Sequence, residues 1–130
     1  MHFLNADRML IRLAGEEKMP YLSVQTNVNV PDEAGLLTRL SQQAARMLGK
    51  PESYVMVHIA SGAVMRFAGS AEPLAYVELK SLGLSKTETA SFSAGLCTLL
   101  QDELGIDAGR IYIEFSSPER YMWGWNGGTF

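Results

Sequence analysis

Cysteine is nearly absent from this sequence, since Cys97 is the only one among 130 residues. A single cysteine excludes an internal disulfide framework and any Cys-x-x-Cys redox or zinc motif. Charged residues make up 19% of the chain and the formal net charge is −3, so no basic excess points to nucleic acid or to an anionic membrane surface. The composition therefore predicts neither a nucleic-acid partner nor a cysteine-based metal site.

Long apolar runs are missing as well. No run approaches the length that a membrane-spanning helix needs. In the opening segment, residues 1–18, the charges of Asp7, Arg8 and Arg12 interrupt the apolar stretches, which argues against the apolar core of a signal peptide. We therefore expect a cytoplasmic protein with no membrane partner, and release from the cell without a signal peptide is compatible with this expectation.

The sequence does contain a repeated pattern. Its apolar share of 47% is typical of a globular chain, and its length predicts one domain. A β-α-β pattern occurs twice, and both predicted helices end in Leu-Gly, at Leu48-Gly49 and Leu104-Gly105. Each predicted crossover is long enough to join two parallel strands, so we predict one parallel strand pair in each repeat. The predicted fold class is α+β, with a four-stranded sheet and two helices on one of its faces. The predicted strands cover residues 21–28, 53–60, 74–83 and 109–115.

Each predicted helix has a start signal and an apolar stripe. In the first helix, Asp32 is a candidate N-cap, and Gly49 followed by Pro51 ends the helix. In the second helix, Ser85-x-x-Glu88 has the spacing of a capping box. The stripe residues recur at helical spacing: Leu37, Leu40, Ala44 and Leu48 in the first helix, and Ala90, Ala94, Cys97, Leu100 and Leu104 in the second.

The strands predict an oligomer. Two helices cover only one face of a four-stranded sheet, yet the strands read as apolar on both sides. A second apolar face needs a cover, and the sequence predicts no third helix to supply one. We therefore expect another copy of the chain to cover that face. The residues that carry this expectation are Val24, Val57, Val77 and Ile113.

The last ten residues, 121–130, contain four aromatic residues and three glycines. Asn126-Gly127 is a strong turn signal, so we predict a short terminal hairpin. Two roles for this hairpin stay open at this point. It packs as an edge hairpin on the sheet or on a neighbour, or it forms the aromatic wall of a pocket.

Five stretches together resemble the macrophage migration inhibitory factor and D-dopachrome tautomerase family of the tautomerase superfamily, over residues 19–130. They are MPYLSVQTNV, LGKPESYVMVHI, MRFAGSAEPLAYVELKSLG, GRIYIEF and GWNGGTF. The resemblance implies a homotrimer of β-α-β repeats, with the sheets wrapped into a central barrel and the helices outside. It also implies an isomerase that needs no cofactor or metal. This isomerase would be a keto–enol tautomerase of aromatic 2-oxo acids such as phenylpyruvate, with an N-terminal proline as its proton carrier.

The matching proline is Pro20, directly after Met19. The family uses its proline only after removal of the initiator methionine, because the nitrogen of an internal proline is an amide without a usable lone pair. The codons for Gly-Glu-Glu-Lys, residues 15–18, are nearly all purine and can contain GGAG, as a bacterial ribosome-binding site does. We expect a bacterial protein of this sequence to start at Met19, so that residues 1–18 form an extension and residues 19–130 form the tautomerase domain. A genuine translated extension is the alternative.

The resemblance also assigns roles to other residues. Lys50 matches the lysine that pairs with the substrate carboxylate, and Tyr112 matches a tyrosine lent by a neighbouring subunit, so both are expected to be catalytic together with Pro20. Leu82 matches a position whose backbone N–H faces the substrate. Glu114 stands where macrophage migration inhibitory factor has an asparagine, and its charge is expected either to repel an anionic substrate or to hold Lys50. Four aromatic residues are expected to line the pocket: Tyr21, Trp123, Trp125 and Phe130.

Two other functions stay open. One is a cytokine-like signalling or binding protein with a vestigial pocket. The receptor-loop arginine and aspartate of the cytokine have no match, since Gly62 occupies the aspartate position, and the cytokine's Cys-x-x-Cys is absent. The other is a hydratase or dehalogenase of small unsaturated acids, in which Glu114 would activate water. No paired arginine cluster accompanies Glu114 to support that chemistry.

Overall fold

The structure is a computed structural model that describes residues 19–130, and the expected extension, residues 1–18, lies outside the described residues. Its main strands are β1 (Tyr21–Thr26), β2 (Met56–Ala60), β3 (Ala75–Lys80) and β4 (Ile111–Ser116), and its helices are α1 (Glu33–Leu48) and α2 (Thr89–Leu104). The four strands form one sheet in the order β2-β1-β3-β4. Both β-α-β crossovers join parallel strands, and the central β1–β3 pair is antiparallel. The predicted repeat and fold class are confirmed.

Helix α1 begins and ends as its sequence predicts. The carboxylate of Asp32 accepts a hydrogen bond of 3.0 Å from the Gly35 N–H, which satisfies one of the free donors of the first turn. Gly49 ends the helix in the left-handed region, at φ 64°. Five residues of α1 are buried against the sheet: Leu36, Leu40, Ala44, Ala45 and Leu48.

Helix α2 differs from its prediction in two respects. Ser85 does not form a capping box, because its hydroxyl accepts from the Thr87 N–H at 3.2 Å in a local turn, and the N-cap residue Glu88 makes no side-chain capping bond. The predicted stripe is correct in its second half, where Leu100 is buried and Cys97 and Leu104 pack against the core, but it is wrong in its first half, where Ala90 and Ala94 are exposed. The sheet is contacted by the larger side chains, which bury more apolar area than alanine does. They are Phe92, Leu96 and Leu100.

Both helices cover the same face of the sheet, which we call the covered face. It is the centre of the hydrophobic core, where Leu22, Val24 and Val77 are completely buried against residues of α1 and α2. Ile106, in the connection after α2, closes the end of this core. No helix among residues 19–130 is long and apolar enough to cross a membrane.

The opposite face, which we call the open face, is mostly polar. The prediction that both faces are apolar is wrong, because the four residues that carried it all pack in the core on the covered face: Val24, Val57, Val77 and Ile113. Side chains alternate along a strand, so each buried residue of β3 is followed by a residue of the open face. The polar residues of the open face include Ser23, Gln25, His58, Glu78, Lys80 and Glu114.

The chain ends in the predicted hairpin, formed by β5 (Gly124–Trp125) and β6 (Gly128–Thr129). Its two turn residues, Asn126 and Gly127, have φ values of 52° and 78°. Positive φ at both positions is the requirement of the two-residue turn that an Asn-Gly pair favours. This turn prediction is confirmed.

Candidate functional site

One edge of the sheet gathers residues from four parts of the chain. The register pairs Tyr21, the first residue of β1, with Met56, the first residue of β2, and with Lys80, the last residue of β3. Lys80 in turn pairs with Ser116, the last residue of β4. The segments just before β1 and β2, and those just after β3 and β4, therefore meet at this edge.

A cavity of about 350 Å³ lies at this edge. Pro20 is fully buried in its wall, and the Pro20 carbonyl accepts a hydrogen bond of 3.0 Å from the Met56 N–H. That bond fixes Pro20 beside the start of β2. None of the lining side chains carries a charge, and most of them are apolar or aromatic. The lining residues are Met19, Pro20, Tyr21, Ser53, Tyr54, Val55, Met56, Trp123, Gly124 and Trp125.

The terminal hairpin forms the aromatic wall of this cavity, which decides between the two roles that the sequence left open. The Trp125 ring stacks on Phe130 at 6.0 Å between centroids, and it meets Tyr54 edge-on at 6.3 Å. The Phe130 N–H donates to the carbonyls of Arg120 and Trp123 at 3.2 and 3.3 Å. These bonds tie the last residue of the hairpin to the residues just before it. Such ring pairs favour one mutual orientation, so the wall is preorganised.

Met19 lines the cavity and also packs with two of the expected pocket residues. Its side chain is 7% exposed and packs in one buried cluster with Leu82 and Phe130. Leu82 and Phe130 are therefore buried next to Met19 and are not among the residues that line the cavity. The Met19 backbone has a φ of 36°, a region that residues other than glycine adopt rarely and at a cost in energy.

Of the expected site residues, the structure brings Tyr21, Trp123 and Trp125 to the cavity together with Pro20. Lys50 follows the C-terminus of α1, where its backbone N–H donates to the Ala45 carbonyl at 2.9 Å. Its side chain is partly buried and is not among the lining residues. Within residues 19–130, no carboxylate lies within ion-pairing distance of the Lys50 ammonium.

Tyr112 and Glu114 lie on the open face, away from the cavity of their own chain. Tyr112 is 65% exposed and precedes Ser116 by four residues, which is about 13 Å along the strand. The Glu114 carboxylate accepts a hydrogen bond of 2.7 Å from the Tyr76 hydroxyl. That bond is the main reason why the pKa of Tyr76 is raised to about 12. A single copy of the chain does not bring Tyr112 to Pro20.

Residues 53–55 are the part of the cavity wall that sequence reasoning missed. The sequence predicts a strand from residue 53, but a 3-10 turn covers Glu52–Tyr54 and β2 starts at Met56. A signal for them was present in the predicted parallel pairing of β1 with β2. Parallel strands start at the same edge of a sheet, so the residues before the second strand had to lie beside Pro20.

Comparisons with known proteins agree with one another. Residues 19–130 match the family model of macrophage migration inhibitory factor. Macrophage migration inhibitory factor of Meriones unguiculatus is 41% identical over 116 residues, which cover 86% of this chain and 99% of that protein. The homolog from Brugia malayi is 40% identical over 114 residues, with the same two coverages. The crystal structure of the homologue from Prochlorococcus marinus has a TM-score of 0.80 and 44% identity, and the match covers 85% of this chain and 98% of that one.

Proposed function

Because the chain belongs to the macrophage migration inhibitory factor family, we propose that it is a cofactor-independent keto–enol tautomerase of aromatic 2-oxo acids such as phenylpyruvate. Family membership by itself supports a tautomerase-type or a cytokine-like function. The observation that carries the choice of catalysis is Pro20, which is fully buried in the wall of an uncharged cavity of about 350 Å³. The rings of Tyr54, Trp123 and Trp125 give this cavity walls that suit a flat aromatic substrate.

Pro20 is the proposed base, on the condition that its nitrogen is a free amine. An α-amino group has a reference pKa near 8, and burial in apolar surroundings disfavours its protonated form. A secondary amine in this cavity would therefore be a base close to neutrality, which suits proton abstraction beside a carbonyl. When residue 19 is attached, the same nitrogen belongs to an amide and cannot accept a proton.

The proposed active form starts at Pro20, after removal of Met19. The family match begins at residue 19, and 85% of this chain accounts for 98% of the Prochlorococcus marinus homologue. That homologue folds with almost nothing beyond the matched part, which supports residues 20–130 as an independent folding unit. Loss of Met19 would relieve its positive φ and open the space beside Leu82 and Phe130 to the cavity. Residues 1–18 are then an extension that the active form does not contain.

The proposal assigns a proton path to these groups. The Pro20 nitrogen takes a proton from the carbon beside the keto group. The electrons of that C–H bond form a double bond to the carbonyl carbon, and the π electrons of the carbonyl move to its oxygen, which gives an enolate. The Leu82 N–H and a tyrosine hydroxyl stabilise the charge on that oxygen, where such donors have their largest effect. Delivery of the proton to the oxygen completes the enol, and the reverse sequence returns the keto acid. Lys50 pairs with the substrate carboxylate.

The tyrosine hydroxyl is proposed to come from Tyr112 of a neighbouring copy in a trimer. Tyr112 cannot serve the cavity of its own chain, yet it is 65% exposed on the open face. Met56 is equally exposed at the other edge strand of the same face. Glu114 follows Tyr112 on that face and would enter the neighbouring site with it. We also propose a cytoplasmic location, which cell fractionation tests.

Two proteins test the proposal: the chain that begins at Pro20 and the full 130-residue chain. The loss of enol absorbance of phenylpyruvate is followed near neutral pH. We expect the full chain to be at least about 100-fold slower, because general-base catalysis contributes at least that factor. A full chain that is as fast as the short form, with its mass verified before and after the assay, would overturn the proposal.

Two controls accompany this test. Pro20→Gly in the short form keeps a free amine, although its position and pKa change, and should retain partial activity. Sedimentation at micromolar concentration should give three times the mass of the chain. A monomer that is fully active would show that no neighbouring copy supplies Tyr112.

A further inference from the structure

The connection between β2 and β3 is tied to one guanidinium group. Arg110 precedes β4 and donates four hydrogen bonds to carbonyls of this connection, which we call the 61–73 loop. The acceptors are the carbonyls of Pro73 at 3.0 Å and of Phe67, Ser70 and Glu72 at 3.1 Å each. Only a planar fork with five donors can reach acceptors spread over this arc, and a lysine ammonium cannot replace it.

These bonds fix a tight turn in the 61–73 loop. Phe67 and Ser70 exchange two backbone hydrogen bonds of 2.9 and 3.0 Å. Between them, Ala68 and Gly69 have φ values of 52° and 73°. Ala68 is a β-carbon-bearing residue at positive φ, which a chain holds only when the surroundings fix it. The Arg110 bonds to the Phe67 and Ser70 carbonyls supply that constraint.

The Phe67 ring, at the start of this turn, contacts two side chains, those of Arg110 and Tyr112. The Arg110 guanidinium lies 5.3 Å from the centroid of the Phe67 ring. The Phe67 ring also meets the Tyr112 ring edge to face, at 4.8 Å between centroids and an interplanar angle of 65°. Arg110 is the last residue of the 3-10 turn directly before β4, and Tyr112 is the second residue of β4.

We propose that Arg110 is a positioning residue for Tyr112, acting through the Phe67 ring. Tyr112 is 65% exposed, and the contact with Phe67 holds one side of its ring. A hydroxyl that must stabilise charge at a reacting atom is useful only if its ring stays in place to within a fraction of an ångström. Arg110, the 61–73 loop and Phe67 form a chain of contacts that does this. The inference rests on the proposed function, in which Tyr112 serves the cavity of a neighbouring copy.

The test compares Arg110→Lys with Arg66→Lys as a matched control. Arg66 belongs to the same loop but makes a single loop bond, to the Gly69 carbonyl at 2.8 Å. The first readout is the ¹⁹F spectrum of the full chain labelled with 3-fluorotyrosine, in which Tyr112→Phe identifies the Tyr112 signal. We expect Arg110→Lys to shift and broaden this signal, and Arg66→Lys to leave it unchanged.

The second readout is kinetics of the form that begins at Pro20. Arg110→Lys should lower kcat about tenfold through misplacement of Tyr112, with KM changed less than about twofold. In a Tyr112→Phe background, Arg110→Lys should cost no further activity. Phe67→Leu removes the ring but keeps the loop bonds, and it should reproduce the effect. It takes the place of Arg110→Lys in the test if that variant does not fold.

Each remaining outcome overturns a distinct claim. An unchanged Tyr112 signal in both Arg110→Lys and Phe67→Leu shows that the contacts do not position the ring. A shifted signal with unchanged kcat shows that Tyr112 has no role in the site, and the positioning inference is then wrong. This outcome does not affect the proposal that Pro20 is the base, which the comparison of the short form with the full chain tests separately. An equal loss of kcat in the Tyr112→Phe background shows that Arg110 acts by another route.

Discussion

The covered and open faces of the sheet are built from alternate residues of the same four strands, but they differ in how complete they are. On the covered face, Leu22 and Leu79 are buried beneath helices of the same chain. On the open face, Tyr112 and Met56 are each 65% exposed, beside polar neighbours. A single copy therefore contains everything that the covered face needs for folding, whereas the open face leaves large side chains in solvent.

This difference separates stability from function. Burial of apolar area is additive and non-directional, so the covered face stabilises the fold without requiring an exact orientation of any single group. The proposed site depends on few groups held in definite orientations, and one of them, Tyr112, lies too far along β4 to reach its own cavity. The two faces should respond differently to substitution, and four comparisons of variants test this.

The largest effect is expected for Leu79→Ala compared with Lys80→Ala, adjacent residues on opposite faces. Leu79 is buried in the core, so its truncation should lower the free energy of unfolding by about 2–5 kcal/mol. Lys80 forms a partly exposed ion pair with Glu78 at 3.3 Å, and its loss should cost no more than about 1 kcal/mol. Urea unfolding at one fixed protein concentration measures both, and equal losses would contradict the distinction between the faces.

Tyr112→Phe should reverse that pattern. It removes only a hydroxyl from an exposed residue and keeps the ring contact with Phe67, so the unfolding free energy should hardly change. In the form that begins at Pro20, kcat should fall about 100-fold, as for loss of one donor to a developing oxyanion. Tyr121→Phe, at another exposed tyrosine, is the matched control. Unchanged kcat for Tyr112→Phe would remove Tyr112 from the proposed mechanism.

Lys50→Ala tests a residue that belongs to neither face, since Lys50 directly follows the end of α1. Loss of its charge-assisted contact with the substrate carboxylate should lower kcat/KM for phenylpyruvate about tenfold to a hundredfold. A neutral ester of the same acid should lose much less. Lys86→Ala, an exposed lysine before α2, is the control. Equal losses for acid and ester would show that Lys50 does not anchor the carboxylate.

The smallest effect is expected from Glu114→Gln on the open face. Its hydrogen bond and negative charge raise the pKa of Tyr76 from 10.0 to about 12, so an uncharged glutamine should move that pKa back towards 10. Glu78 contributes least to the shift, and Glu78→Gln should have a smaller effect. Absorbance titration of tyrosinate in each variant measures the change. An unaltered Tyr76 pKa in Glu114→Gln would show that Glu114 is not its cause.

The same shift has a consequence for stability in alkali. The folded pKa of Tyr76 lies above its unfolded value, so the favourable contribution of protonated Tyr76 is complete below pH 10 and is lost as the pH rises from 10 to about 12. Glu114→Gln should shorten this window. Unfolding measured across pH 9–12 checks the sign.

Two features differ between the sequence prediction and the structure, each for a local reason. Ser85 and Glu88 have capping-box spacing, but Ser85 and Thr87 form a turn of their own before α2 starts. A hydroxyl can satisfy several nearby N–H groups, and the sequence does not rank those choices. The prediction of a second apolar face is wrong because its residues, three valines and Ile113, all lie on one face of the sheet. Their period of two puts all of them under the helices.

Spacing along the chain is sufficient to predict the repeat, the two parallel strand pairs, the Asp32 cap and the Asn126-Gly127 turn. All of these depend on spacing within a short stretch of chain, where φ preferences and side-chain period act locally. The resemblance also predicted that Pro20, Trp123 and Trp125 belong to one site, and all three line the same cavity.

Which other residues meet depends on the tertiary structure. Leu82 and Phe130 are buried beside Met19, and Glu114 is paired with Tyr76. The Phe67 ring contacts both Arg110 and Tyr112. These contacts join residues far apart in the chain, and they follow from strand register and from helix packing, which depend on burial of the whole core and not on any one segment.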